Sequence, residues 1–452
     1  MTLLESPKRA AGATGLIRVA TAGSVDDGKS TLVGRLLYDG KAVLADTLQA
    51  VSSASRARGA ELDLSLLVDG LRSEREQGIT IDVAHRYLST EARDVVLVDC
   101  PGHVEYTRNT VTGMSSADVA LLLVDVRNGL VEQTRRHAAV AALLRVPHLI
   151  LAVNKIDLVD YDEDAFAQVV ADAEAYAKEV GIAEVTAVPV SAKAGDNVTT
   201  RSEHTPWYTG PTLLELLASV EVPVRANAPL RLPVQWVARG DGPRRYTGTV
   251  ASGIARPGDE VLVQPAGRRT RIVAVEDADG SLDAAGEGAA VAVTLADDLH
   301  VGRGELIVAA DAPAEVLREF VADLAVVGER PVVAGDRVLV RHTGKLVRGL
   351  VREVTDTVDI DTGRRRPADR LETNDIGRAT IAVAEPLAVD AYGHDRTTGA
   401  ALLLAERTGD AIAAVLVRRL EERPLEERPL EEGPPEQRRP LEQGPLDQGE
   451  NR

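Results

Sequence analysis

One octapeptide constrains this chain more than any other feature: Gly23-Ser24-Val25-Asp26-Asp27-Gly28-Lys29-Ser30 fits the pattern G-x-x-x-x-G-K-[ST]. It follows the apolar run Leu16–Ala22 and precedes a helical pattern, Thr31–Leu37. Glycines let such a backbone curl so that successive N–H groups face a phosphate, and the helix start adds the positive end of a dipole. The motif therefore asks for a strand, a tight loop and a helix. Lys29 is placed to reach β- and γ-phosphates, and the Ser30 hydroxyl to ligate Mg²⁺. Residues Gly23 to Thr31 are the first candidate nucleotide-binding segment.

The surrounding sequence supplies the sheet that this loop needs. The short apolar runs Asp94–Val98, Val119–Val126, His148–Val153 and Val185–Val190 alternate with helix-like segments. This predicts an α/β domain over residues 15–222, a mostly parallel sheet with helices on both faces, whose ligands sit at the strand ends. Three of those ends carry chemistry. Asp99-Cys100-Pro101-Gly102 closes one strand, with Asp99 as a Mg²⁺ carboxylate and the Gly102 N–H offered to a γ-phosphate. Asn154-Lys155-Ile156-Asp157 ends another. A carboxylate at Asp157 accepts both the N1–H and the 2-amino N–H of guanine, so GTP rather than ATP is the expected ligand, and the stem of Lys155 covers the base face. Ser191-Ala192-Lys193 follows the last run and offers a backbone N–H to guanine O6. Between the first two motifs, Gly78-Ile79-Thr80 places a threonine that closes the Mg²⁺ shell when γ-phosphate is present. His103, directly after Gly102, takes the water-orienting role, so His103, Lys29 and Thr80 form the catalytic set. The remaining seven histidines, His137 among them, read as structural.

The second half changes texture. Residues 228–312 and 315–408 each read as short strands broken by glycine turns, which predicts two small β-barrels. Residues 418–452 carry the repeats LEERP, LEERP and LEEGP, with proline about every fifth residue, and read as a disordered tail. A net charge of −18 makes nucleic acid an unlikely partner, since phosphate neutralisation needs excess Lys and Arg. The single cysteine, Cys100, excludes an intrachain disulfide, and its side chain reads as buried and inert. No apolar run of membrane-spanning length and no secretion signal stands out, which gives the expectation of a cytoplasmic protein without membrane contact.

In order, these motifs followed by two barrels resemble the translation-factor GTPases of the elongation factor Tu type, over roughly residues 15–406. The stretches GSVDDGKSTLVGRLLYD, LVDGLRSEREQGITIDVAHRYLST, DCPGHVEYTRNTVTG, EQTRRH and SAKAGDNV are similar to the GTP-binding subunit of ATP sulfurylase (sulfate adenylyltransferase). That resemblance implies GTP hydrolysis coupled to formation of adenylyl sulfate and pyrophosphate from ATP and sulfate on a separate catalytic subunit, the expected partner. The alternative is a translation-type GTPase delivering aminoacyl-tRNA, for which Arg268-Arg269 and Arg364–Arg366 are the candidate RNA contacts.

Overall fold

The computed structural model describes residues 15–57, 63–68, 80–90, 92–222, 227–239 and 242–418. Gly78, Ile79 and the expected tail from 419 onward lie outside the described residues.

The first domain is a six-stranded sheet of strands β1 (Leu16–Ala22), β2 (Ala84–Ser89), β3 (Asp94–Asp99), β4 (Val119–Asp125), β5 (His148–Asn154) and β6 (Val185–Pro189), in the order β2-β3-β1-β4-β5-β6. All neighbours are parallel except the edge pair β2–β3. Every residue of β4 is buried, as befits a central strand covered on both faces. Alternate strand residues feed two cores. Val19, Leu121, Leu123 and Ile150 pack under α1 (Lys29–Asp39), α2 (Ala45–Ala57) and a C-terminal helix at Leu213–Ser219. Ala20, Leu122, Val124 and Leu151 pack under α3 (Thr107–Ser115), α4 (Glu132–Leu143) and α5 (Glu163–Val180). The order reverses at β1, with β3 on one side and β4 on the other, so the loop after β1 opens into the crevice where such sheets bind ligands.

The two β regions differ in closure. The first is a half-barrel of seven strands. Its end strands, Arg231–Pro233 and Trp236–Ala238, are successive pieces of one bent segment, and no ladder joins them. The second is a closed six-strand barrel: Arg337–His342 pairs with both Ala400–Ala405 and Lys345–Val358, completing the ring. Its strand Ala411–Val417 carries the barrel past the expected end at residue 408, because the turn at Thr408-Gly409 is an internal hairpin rather than a boundary.

The closed barrel docks on the first domain. Ala325, Ile376, Tyr392 and Leu416 complete the apolar core beneath α4 and α5. Around that core Arg364 grips Glu179 with two bonds (3.0 and 3.1 Å) and Tyr392 Oη donates to Leu144 O (3.2 Å). Among the described residues no helix is long and apolar enough to cross a membrane.

Candidate functional site: a nucleotide cleft in two halves

The loop after β1 has the curled backbone its sequence requires. Gly23 (φ 137°) passes so close to β4 that a Cβ there would lie 2.5 Å from Leu123 O, and one on Gly28 (φ 92°) would lie 2.5 Å from Asn154 Nδ2. Side chains that the motif pattern leaves unspecified hold this shape. The Asp27 carboxylate folds back to accept the Ser24 N–H (2.6 Å), and burial pushes that carboxyl's pKa up. His137, buried on α4, accepts the Gly23 N–H at Nδ1 (2.9 Å), and burial lowers its pKa to about 3, so the ring stays neutral.

Lys29 is buried, and its Nζ donates to Ser24 O (2.6 Å) and Gly23 O (3.2 Å). Burial lowers its pKa, against the opposing pull of Asp99 and Asp27. Gly102 comes so near Lys29 Nζ that any side chain there would collide with it. Asp99 is fully buried and accepts from Thr21 Oγ1 (2.7 Å). The Ser30 and Thr80 hydroxyls lie 3.3 Å apart, which brings two elements 50 residues distant to one point. His103 caps the turn Val104–Tyr106, its Nδ1 accepting the Glu105 N–H at 3.4 Å. Val25, Asp26, Lys29, Ser30, Thr31, Thr80, Gly102 and His103 together line a cavity of about 400 Å³.

A second cavity of about 390 Å³ adjoins it, sharing Gly28, Thr31 and Lys155, and is lined by Asn154, Asp157, Leu158, Ser191, Ala192 and Lys193. Asn154 does not face this cavity as a free amide. It donates to Asp27 O (2.7 Å) and accepts from Ala192 N (2.9 Å), tying the phosphate loop to the Ser191–Lys193 loop. Arg35 of α1 pins that loop from behind through Ala192 O (3.2 Å) and Lys193 O (2.5 Å).

Two adjoining cavities thus gather most of the expected site residues; Gly23, Ser24 and Asp27 shape the loop without lining either cavity, and Asp99 is buried at the end of β3. Sequence reasoning missed His137, Arg35 and the fold-back of the Asp27 carboxylate onto the Ser24 N–H. The Q-T-x-x-H spacing places Gln133 and His137 one helical turn apart, but nothing local says the ring meets Gly23. Cys100 is buried, and burial pushes its thiol well above the usual range, in keeping with an inert side chain. The arginines weighed as RNA contacts are largely spoken for. Arg364 binds Glu179, Arg365 binds Asp323 (3.0 Å) and Asp356, and Arg269 binds Glu260 (2.8 Å).

Residues 14–223 match the elongation factor Tu GTP binding domain, and residues 319–418 match the GTP-eEF1A C-terminal domain-like family. The chain is 44% identical over 416 residues to sulfate adenylyltransferase subunit 1 of Chromobacterium violaceum, covering 90% of this chain and 87% of that one. The chain belongs to the sulfate adenylyltransferase subunit 1 family. Another member, from Laribacter hongkongensis, is 42% identical over 412 residues, covering 90% of this chain and 86% of its own. The bifunctional enzyme CysN/CysC of Mycobacterium tuberculosis is 44% identical over 415 residues, which span 90% of this chain and 68% of that enzyme. As a member of the subunit 1 family with an elongation factor Tu-type domain, the chain is a GTPase that binds GTP and works in a heteromeric enzyme.

Proposed function

We propose that GTP hydrolysis in this cleft drives adenylyl sulfate formation from ATP and sulfate on a separate catalytic subunit. Its GTP half is supported by the adjoining pair of cavities, one ringed by Lys29, Ser30, Thr80 and His103 and the other holding Asp157, and its sulfate half by membership of the subunit 1 family. Their join matches a nucleoside triphosphate laid with its base toward Asp157 and its γ-phosphate toward His103.

This reading gives each residue a role. Asp157 accepts the two guanine donors, and Lys155 lies along the base. The N–H groups of Gly23 to Thr31 wrap the β-phosphate, and Lys29 exchanges its carbonyl partners for phosphate oxygens. Gly102 offers its N–H to the γ-phosphate, and His103 orients the water that attacks the γ-phosphorus as the bond to the GDP oxygen breaks. Neighbouring hydroxyls at Ser30 and Thr80, with the buried Asp99 carboxylate, are hard oxygen donors of the kind Mg²⁺ takes. A bound Mg²⁺ would neutralise charge between the β- and γ-phosphates.

Adenylyl sulfate is a mixed anhydride, and making it from ATP runs uphill. A GTP switch helps only if its two nucleotide states bind the partner differently, through segments that order around the γ-phosphate. Thr80 and the turn after Gly102 are those segments. In this reading the switch belongs to the first domain, residues 15–222.

The test is pyrophosphate release from ATP and sulfate by this chain with its catalytic subunit, with and without GTP. GTP should raise the yield, and the subunit with its substrates should speed GTP hydrolysis. Equal yield without GTP would end the coupling reading.

A further inference from the structure

Asp125 ends β4, one strand from the phosphate loop, and is buried. Its carboxylate gathers the Arg127 backbone N–H (3.0 Å), Arg127 Nε (3.0 Å) and Nη2 (2.6 Å), and Lys155 Nζ (2.9 Å). The same Lys155 ammonium donates to Asp26 O in the phosphate loop (2.5 Å). Lys155 itself sits in the left-handed region (φ 64°), where β5 turns into the base loop.

We propose that Asp125 is a positioning residue for the nucleotide: it holds the Lys155 ammonium against Asp26 O, so that the lysine stem stands as a preset wall of the base cavity and the phosphate and base loops move as one. This deepens the nucleotide-site reading above and rests on it. Lys155 leans on this carboxylate: its side chain is 26% exposed and its ammonium otherwise donates to the Asp26 carbonyl. Burial alone would push the Asp125 carboxyl up, but the Arg127 and Lys155 groups outweigh it and hold it well below the usual carboxylate range. An ionised carboxylate keeps its grip across the physiological range. Asn154, next to Lys155, holds the phosphate loop by a separate route, through Asp27 O, and ties it to the Ser191–Lys193 loop through Ala192 N. Loss of Asp125 therefore loosens the pairing without dismantling the loops.

The test is release of a fluorescent GDP analogue from the full chain, followed by stopped flow, for Asp125→Ala, Lys155→Met and the double variant. A charged hydrogen bond of this kind is worth about ten- to hundredfold in release rate. Asp125→Ala should speed release by that factor, and Asp125→Glu should recover part of it. The double variant should release no faster than Lys155→Met alone, because both changes remove one interaction. The acceleration should be the same for the inosine analogue, since a wall against the base face does not read the 2-amino group. Additive effects, or release at the unmodified rate, would overturn the inference. Where Asp125→Ala does not fold, Asp125→Asn keeps the shape and removes the charge. If the unmodified chain binds no guanine nucleotide, the nucleotide-site reading itself fails; if it binds and the variants release normally, this inference alone fails.

Discussion

The base half and the γ-phosphate half of the cleft are built differently. On the base side, buried Asn154, buried Asp125 and the guanidinium of Arg35 lock three loops to one another through bonds of 2.5 to 3.2 Å. On the γ-phosphate side, buried Lys29 and Asp99 are held as tightly (2.6 and 2.7 Å), but Thr80 meets Ser30 at 3.3 Å, and His103 is 40% exposed with a long bond from Glu105 N (3.4 Å). The contrast assigns separate jobs. A rigid, prepaired half sets which nucleotide binds and how long it stays. The segments at Thr80 and His103, held by these long contacts, can exchange them for γ-phosphate at small cost, which is where a two-state element belongs.

The largest effect should come from the rigid half. Asp157→Asn removes the acceptor for two guanine donors and should weaken GTP by about 2–5 kcal/mol, the range for leaving one side of a buried charged pair unmatched. Calorimetric titration with GTP checks it, and unchanged affinity would break the comparison at its stronger end. His103→Ala should come next, slowing GTP hydrolysis by about a hundredfold, at the lower end of what a positioned acid–base group contributes. Affinity for GTP should stay near that of the unmodified chain. A variant with normal turnover and poor binding would reverse the assignment of the two halves.

Thr80→Ala should act on the coupling. With nucleotide bound, GTP should no longer raise adenylyl sulfate yield in the two-subunit enzyme, while hydrolysis by the isolated chain changes less. The smallest effect should come from Asn374 of the closed barrel, whose Nδ2 donates to Val104 O (3.3 Å), one residue past His103. Asn374→Ala should cost less than about 1 kcal/mol in folding stability, as for an ordinary half-exposed hydrogen bond. If it also erases the GTP-dependence of partner binding, that contact is a route from the flexible half to the barrel.

The legibility of the molecule follows the same division between local and distant causes. The strand Leu16–Ala22 lies where its apolar run predicts, and the ends of β3, β4 and β5 fall within a residue of expectation, because each run stops at a polar turn. The edge strand Ala84–Ser89 gave no such signal: half its residues face solvent and it contains His85 and Arg86. The barrel strands Ala400–Ala405 and Ala411–Val417 went unread although both are short apolar runs, and the closure of one barrel but not the other depends on pairings far apart in sequence. In the site, the motif residues were legible because their chemistry is local. His137 bonds Gly23 across 114 positions and Arg35 reaches Ala192 across 157, and no spacing rule reveals such pairs. His137 is structural as its type suggests, yet what it supports is the phosphate loop.

The most direct measurement of the central claim, that base choice and turnover reside in separate halves, is hydrolysis of xanthosine triphosphate by Asp157→Asn. Xanthine carries an acceptor where guanine carries the 2-amino donor, so the asparagine amide restores the match. At saturating xanthosine triphosphate the variant should turn over near the rate of the unmodified chain with GTP, since Lys29, Thr80 and His103 are untouched. Tight binding of xanthosine triphosphate with no hydrolysis would contradict the account.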